Sequence, residues 1–179
     1  MRLTEDEQQI VAMVAEFVDE RVRPRVREFE QDDVYPGELI DEMKELGFFG
    51  LLVPAEYGGT EVSTACFARV TEELARGWMS LAGATGGHSV ISYLIRTFGT
   101  PEQKAKYLPQ MAEGKIRATM ALTEPGGGSD LQAMRTVATP GADGYTITGS
   151  KTWTPTPRTP ACTACCASPT GTPSPRTRA

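Results

Sequence analysis

Residues Met120 to Asp130 read MALTEPGGGSD, an apolar run ending in a loop where three glycines stand between hydroxyls and carboxylates. Consecutive glycines strip a loop of Cβ atoms, so its backbone reaches positive φ and comes within hydrogen-bond distance of a flat polar ligand. Thr123 and Ser129 add hydroxyls that both donate and accept, which suits a ligand edge of mixed character. Alone, a Gly-Gly-Gly-Ser run is more often a plain turn or linker. Glu124 places a carboxylate in the same loop where a general base could stand, and Asp130 is a carboxylate that fixes the turn through its own backbone. His88, the only histidine, falls in an apolar helical pattern and reads as a hydrogen-bonded core or pocket-lining residue before it reads as an acid or base.

These residues need elements to position them. Thr4 with Glu7 forms a capping-box pattern, and Ile10, Val11, Val14, Phe17, Val18 and Val22 follow at helical spacing; an amphipathic helix is expected over 5–28, kinked or broken at Pro24. Pro36 suits a first helical position and Gly47 a helix end, which predicts a short helix between them. Phe48, Phe49, Leu51, Leu52 and Val53 make an apolar connector closed by Tyr57-Gly58-Gly59, and this connector reads as core. A third helix starts at Ser63 or Thr64 and reaches Arg76, with Cys66 as a buried small apolar residue. A fourth, rich in Ser, Gly and Ala, spans 80–98. Thr100-Pro101-Glu102-Gln103 is a second capping box and opens a fifth helix to Ala112. Beyond Gly114, Ile116, Ala118, Met120 and Leu122 alternate as in a strand, and Val137 to Ala138 and Tyr145 to Thr148 read as two more strands around a turn at 141–144. Helices first and strands second give an α+β fold: an all-α helical bundle followed by the first strands of an antiparallel β domain.

Composition narrows the function classes. The mean hydropathy of −0.28 and the lack of any apolar run near 18 residues speak against a membrane span. The N-terminus, MRLTEDEQQI, is acidic and polar, so a cytoplasmic location is expected. The net charge of −5, less three arginines in the acid-free stretch 154–179, leaves −8 on residues 1–153. So acidic a body disfavours nucleic-acid binding, which depends on neutralising phosphates.

GFFGLLVPAEYGG (47–59), TEELARG (71–77), FGTPEQKAKYLPQMAEGK (98–115) and GYTITGSKTW (144–153) surround the TEPGGGSD loop in an order and at separations that resemble the acyl-CoA dehydrogenase family of flavoproteins. The resemblance covers roughly residues 3–153: an N-terminal helical domain over 1–115 and part of a middle β domain over 116–153. It implies an FAD-dependent oxidoreductase of CH–CH donors in fatty acid metabolism. A base takes the pro-R α-proton of an acyl-CoA thioester while hydride leaves the β-carbon for flavin N5. It implies an acceptor of the electron-transfer flavoprotein type and homo-oligomeric full-length relatives. By the same resemblance Met120, Leu122, Thr123, Gly128, Ser129 and Trp153 border the FAD, with Ser129 also near the pantetheine arm of the substrate. Glu124 takes a structural role. No residue matches the catalytic glutamate, so no catalytic residue is assigned, and the 179-residue chain is expected to be inactive. The rival readings are an acyl-CoA oxidase or nitroalkane oxidase on the same fold, and a non-catalytic helical interaction module.

After Trp153 the pattern breaks. Residues 154–179 hold seven Thr, six Pro and three of the four Cys, with no hydrophobic periodicity, and are expected to be a disordered tail. The family continues its tryptophan with isoleucine, threonine and asparagine and places a hydroxyl contact where Pro155 stands, so one cofactor contact is expected to be lost. One base inserted after the first base of codon 154, with permitted codons, restores isoleucine-threonine-asparagine. A frameshift with a premature stop is therefore expected, and Cys162, Cys165 and Cys166 read as out-of-frame residues. Metal binding is not expected, since zinc needs four ligands held by a fold.

Overall fold

The computed structural model describes residues 2–154, 161–165 and 167–169. It divides into two compact units, Met1–Ala118 and Thr119–Ala179. The first carries six α-helices: α1 (Glu5–Phe17), α2 (Val26–Gln31), α3 (Gly37–Glu45), α4 (Thr64–Gly77), α5 (Met79–Phe98) and α6 (Pro101–Ala112). α1 packs on α4, α4 on α5 and α5 on α6. Among the described residues no helix is long and apolar enough to cross a membrane.

The helix starts follow local chemistry. Thr4 Oγ1 accepts from Glu7 N and Glu7 Oε2 accepts from Thr4 N; Thr100 and Gln103 make the same reciprocal pair before α6. Each pair satisfies two of the amides that a helix start leaves open. Glu7 does a second job, because its Oε1 accepts Ser63 N at 2.8 Å, while Ser63 Oγ caps α4 through Cys66 N. One carboxylate thus ties the starts of α1 and α4. α3 ends at Gly47, where φ of +75° gives the left-handed conformation that glycine takes at little cost. Pro36, expected inside α3, sits one position before it, as the N-cap.

The long first helix is not simply kinked at Pro24. It passes from α1 into a π-helical turn at Val18–Val22, in which Arg23 N donates to Val18 O, and α2 follows. Proline cannot supply the amide that the α-helical ladder needs next. The wider turn absorbs one residue and keeps both Val18 and Val22 buried.

The core forms around the connector after α3. Phe48 and Phe49 are both buried, Phe48 edge-on to Phe17 at 5.5 Å and Phe49 edge-on to His88 at 5.2 Å. Leu39, Met43, Val70, Leu74 and Leu81 fill the space around them. The chain then folds back so tightly that a Cβ on Gly59 would lie 2.0 Å from Val53 O. Only glycine permits that approach.

The second unit holds β1 (Arg117–Ala121, which begins in the first unit), β2 (Val137–Gly141), β3 (Gly144–Thr148), β4 (Ala161–Cys165) and β5 (Ser168–Pro169). β2 and β3 form an antiparallel hairpin closed by Ala142 and Asp143. The helical domain followed by a small antiparallel sheet is the expected α+β order. Two segments of the stretch expected to be structureless are instead strands, β4 beside β1 and β5 parallel to β2. Ladder pairing runs through backbone amides and carbonyls, which need no hydrophobic period in the sequence. Pro155, Cys166 and 170–179 lie outside the described residues, and nothing is described of the Cys162 and Cys165 side chains.

Candidate functional site

β1 delivers the chain to the glycine loop. Ala121 is buried, Met120, Leu122 and Thr123 are half-buried, and everything from Pro125 to Asp130 is exposed. At Glu124 the backbone turns sharply, with Glu124 N donating to Gly127 O at 2.9 Å and Gly127 N to Glu124 O at 3.1 Å. A Cβ built on Gly126 or Gly127 would meet nothing within 4 Å, and one on Gly128 would rest 3.6 Å from the Thr123 methyl. The loop therefore presents bare backbone outward on both glycines and folds Gly128 over Thr123. Asp130 Oδ1 accepts Gln132 N at 3.1 Å, the local turn expected of it.

Glu124 holds this turn against the rest of the unit. Its carboxylate accepts Arg135 N at 2.7 Å, Thr136 N at 2.9 Å, Thr136 Oγ1 at 2.5 Å and Lys151 Nζ at 3.0 Å. Hydrogen bonds to the charged form, first from Thr136 and then from Arg135, press its pKa down to about 2. Such a carboxylate is a poor base, with its lone pairs already engaged. The structure shows it in a structural role.

Lys151 is the partner that sequence reasoning missed. Its Nζ bonds Leu122 O as well as Glu124, and the next residue, Thr152, donates its amide to Thr123 O at 2.9 Å. Residues 151 and 152 are thereby fastened along 122–124, and Trp153 follows them directly in the chain. Trp153 is 89% exposed, on a backbone with φ of +56°. Positive φ on a bulky residue is uncommon and costs on the order of 1–3 kcal/mol. Gly128 thus lies against Thr123, and Lys151 and Thr152 bond the carbonyls of Leu122 and Thr123; Trp153 is exposed one residue on, Met120 lies two residues before Leu122 on β1 and Ser129 is exposed at the loop's end. The lysine signal was present in GSKTW, but nothing local to Lys151 points to a carboxylate 27 residues away.

Glu124→Gln is expected to loosen this fastening, because the neutral amide loses the attraction to Lys151 and turns a donor toward the Arg135 and Thr136 amides. Hydrogen exchange at those two amides should rise about tenfold or more, the effect of weakening bonds to a charged acceptor. Unchanged exchange would show that the carboxylate does not carry the turn.

His88 lies apart from this loop, inside the first unit. Its Nδ1 accepts Ala118 N at 3.1 Å and its Nε2–H donates to Phe49 O at 3.1 Å. Burial pushes the ring pKa down to about 4, so the ring is neutral and both nitrogens are occupied. It is a core tie between α5, the connector and the start of β1. Cys66 is likewise buried, and burial, then the Glu7 charge, raises its thiol pKa. Among the described residues no three His, Cys, Asp or Glu side chains gather as metal ligands.

Comparison with known proteins identifies the family. The family model described as "Acyl-CoA dehydrogenase, N-terminal domain" matches residues 4–115. The chain is 38% identical over 152 residues to (2S)-methylsuccinyl-CoA dehydrogenase of Cereibacter sphaeroides, covering 84% of this chain and 28% of that protein. The solved acyl-CoA dehydrogenase of Bacillus anthracis complexed with FAD superposes with a TM-score of 0.83 at 34% identity, covering 93% of this chain and 30% of that one. A chain in the structure described as the electron transferring flavoprotein of Acidaminococcus fermentans gives a TM-score of 0.80 at 36% identity, covering 86% and 41%. The chain therefore spans well under half the length of these relatives. On the extent of the family match and the shared architecture, this chain belongs to the acyl-CoA dehydrogenase family.

Proposed function

We propose that residues 120–153 form one wall of an FAD site that serves α,β-dehydrogenation of acyl-CoA thioesters. The observation that carries this reading is the fastening of Lys151 and Thr152 to the carbonyls of Leu122 and Thr123, directly before the exposed Trp153. An exposed tryptophan, a half-buried threonine and a bare glycine backbone thus belong to segments that are tied to each other. These fit a flavin: the indole face packs against a planar ring by dispersion and quadrupole contacts, the Thr123 hydroxyl hydrogen-bonds a polar edge, and Met120 and Leu122 flank the ring. Gly128 lets backbone approach, and Ser129 serves both the cofactor and the pantetheine arm of the substrate. FAD, when bound, supplies the acceptor for hydride from the β-carbon.

Glu124, the carboxylate tied into this loop, is engaged by four donors and does not serve as the base. On this reading the 179-residue chain binds and orients but does not remove the α-proton. The electrons leave to an acceptor of the electron-transfer flavoprotein type, and the assembled enzyme is a homo-oligomer; likeness to the flavoprotein-associated chain supports the acceptor.

Titrating FAD with the chain tests the proposal. Flavin fluorescence should be quenched by wild type, and Trp153→Leu should remove most of the quenching while circular dichroism stays unchanged. Equal quenching by both would place the flavin elsewhere.

A further inference from the structure

We propose that the first unit holds a binding site of its own, apart from the glycine loop: a cavity between the turn at 54–61, the last turn of α5 and the first turns of α6 that takes a small zwitterion of the α-amino-acid class. The proposal is independent of the flavin reading, because every residue of this cavity lies outside 120–153.

The cavity measures about 320 Å³ and is lined by Pro54, Glu56, Tyr57, Glu61, Arg96 and Lys104. That is room for a small molecule. Its wall is built in advance. Tyr57 N and Gly59 N both donate to Pro54 O, Gly58 N donates to Ala55 O, and Glu61 N donates to Val53 O at 3.1 Å. The turn therefore satisfies its own amides and needs no ligand to order it. Glu61 holds this shape at φ of +52°, a conformation that a residue with a Cβ keeps only where its surroundings impose it. Here the imposition includes its own carboxylate, which accepts Arg96 Nη2 at 2.6 Å and Ala55 N at 3.4 Å. Part of the lining is apolar: Pro54 is buried, and the half-buried Tyr57 packs against Val53, Leu108 and Ala112.

The charges select the ligand. Arg96 and Glu61 spend theirs on each other. The side chains of Glu56 and the half-buried Lys104 line the same cavity, yet they enter no ion pair or hydrogen bond with each other or with any described residue. One carboxylate and one ammonium are thus left open, farther apart than an ion pair allows. An ion of a single sign satisfies one of them and meets the like charge of the other. A plain anion must also approach a chain of net charge −5, whose field opposes it. A zwitterion brings no net charge: its ammonium suits Glu56, its carboxylate suits Lys104, and both contacts are charge-assisted hydrogen bonds. An apolar side chain on the same molecule covers Pro54 and Tyr57.

The test titrates the isotope-labelled full chain with L-phenylalanine and with its two half-charged analogues, 3-phenylpropanoate and 2-phenylethylamine, and follows amide shifts. Phenylalanine should move the amides of Tyr57, Gly58 and Lys104 saturably, and each analogue should bind about tenfold or more weakly, the loss of one hydrogen bond between charged groups. Lys104→Met keeps the aliphatic stem, Glu56→Gln keeps the shape, and neither side chain holds the turn. Lys104→Met should weaken phenylalanine about tenfold and leave 2-phenylethylamine no weaker; Glu56→Gln should weaken phenylalanine alike and leave 3-phenylpropanoate no weaker. No saturable shift around the cavity overturns the proposal. So do analogues that bind wild type as tightly as phenylalanine does, or phenylalanine binding indifferent to either variant.

Discussion

His88→Leu is expected to lower the stability of the first unit by about 3 kcal/mol at neutral pH and to abolish a pH dependence that wild type shows. The substitution keeps an apolar side chain of similar reach but leaves Phe49 O and the Ala118 amide without the partners they have now. Each buried backbone group stripped of its bond costs about 1–3 kcal/mol, partly offset by the apolar leucine. The pH dependence has a definite sign. The folded ring titrates at about 4 and a free histidine at 6.5, so below pH 6.5 the unfolded chain takes up a proton that the folded one refuses. Stability fully present above pH 6.5 is lost as pH falls toward about 4, in total about 3 kcal/mol at roughly 1.36 kcal/mol per unit. Glu7, Glu42, Glu102 and Glu124, held below the ordinary carboxylate value of 4.5, lose their contributions only at more acid pH, and Asp19 does so below 3.8. Subtracting the variant's urea-unfolding curve from wild type's between about pH 7 and 5 therefore isolates the histidine. Parallel curves would show that the ring is not buried neutral. His88→Gln, whose amide can both donate and accept, should recover part of the neutral-pH stability and none of the pH slope.

The second large effect concerns turnover. Given FAD, a dye acceptor and a panel of acyl-CoA thioesters, the 179-residue chain is expected to reduce dye at a rate roughly 10²–10⁴ or more below a relative that carries its general base, the usual contribution of such a group. The Glu124 carboxylate is held at about 2 with four donors around it, so its basicity is too low for α-proton removal near neutrality. Measurable turnover would overturn this, and Glu124→Gln would then be the first variant to assay.

What the sequence made legible follows from how far each interaction reaches. The capping boxes at Thr4 and Thr100, the Ser63 cap and the left-handed Gly47 all lie within a few residues of their partners, so residue types at short spacing were enough. The π-helical turn was not legible. Pro24 marked a break, but the inserted residue is absorbed where Val18 and Val22 both need burial, and a Cβ on Gly77 would meet Val18 at 2.6 Å. The apolar helix around His88 marks it as core, yet its partners are backbone atoms 39 and 30 residues away that carry no side-chain signature. The family resemblance implies the structural role of Glu124, while its partners Lys151 and Thr136 lie 27 and 12 residues away and meet it only in the folded chain. The strands at 161–165 and 168–169 escaped notice because backbone pairing leaves no period for a sequence to show.

The claim that residues 120–153 are a flavin wall is tested most directly by amide chemical shifts of the isotope-labelled chain as FAD is titrated to saturation. Residue-level shifts register weak binding as well as strong, so a partial site suffices. The account predicts shifts concentrated at Met120, Leu122, Thr123, Gly126 to Ser129 and the Trp153 indole, with Leu39, Met43 and Leu74 in the helical core unmoved. Shifts confined to the helical unit, or none at saturating FAD, would contradict it.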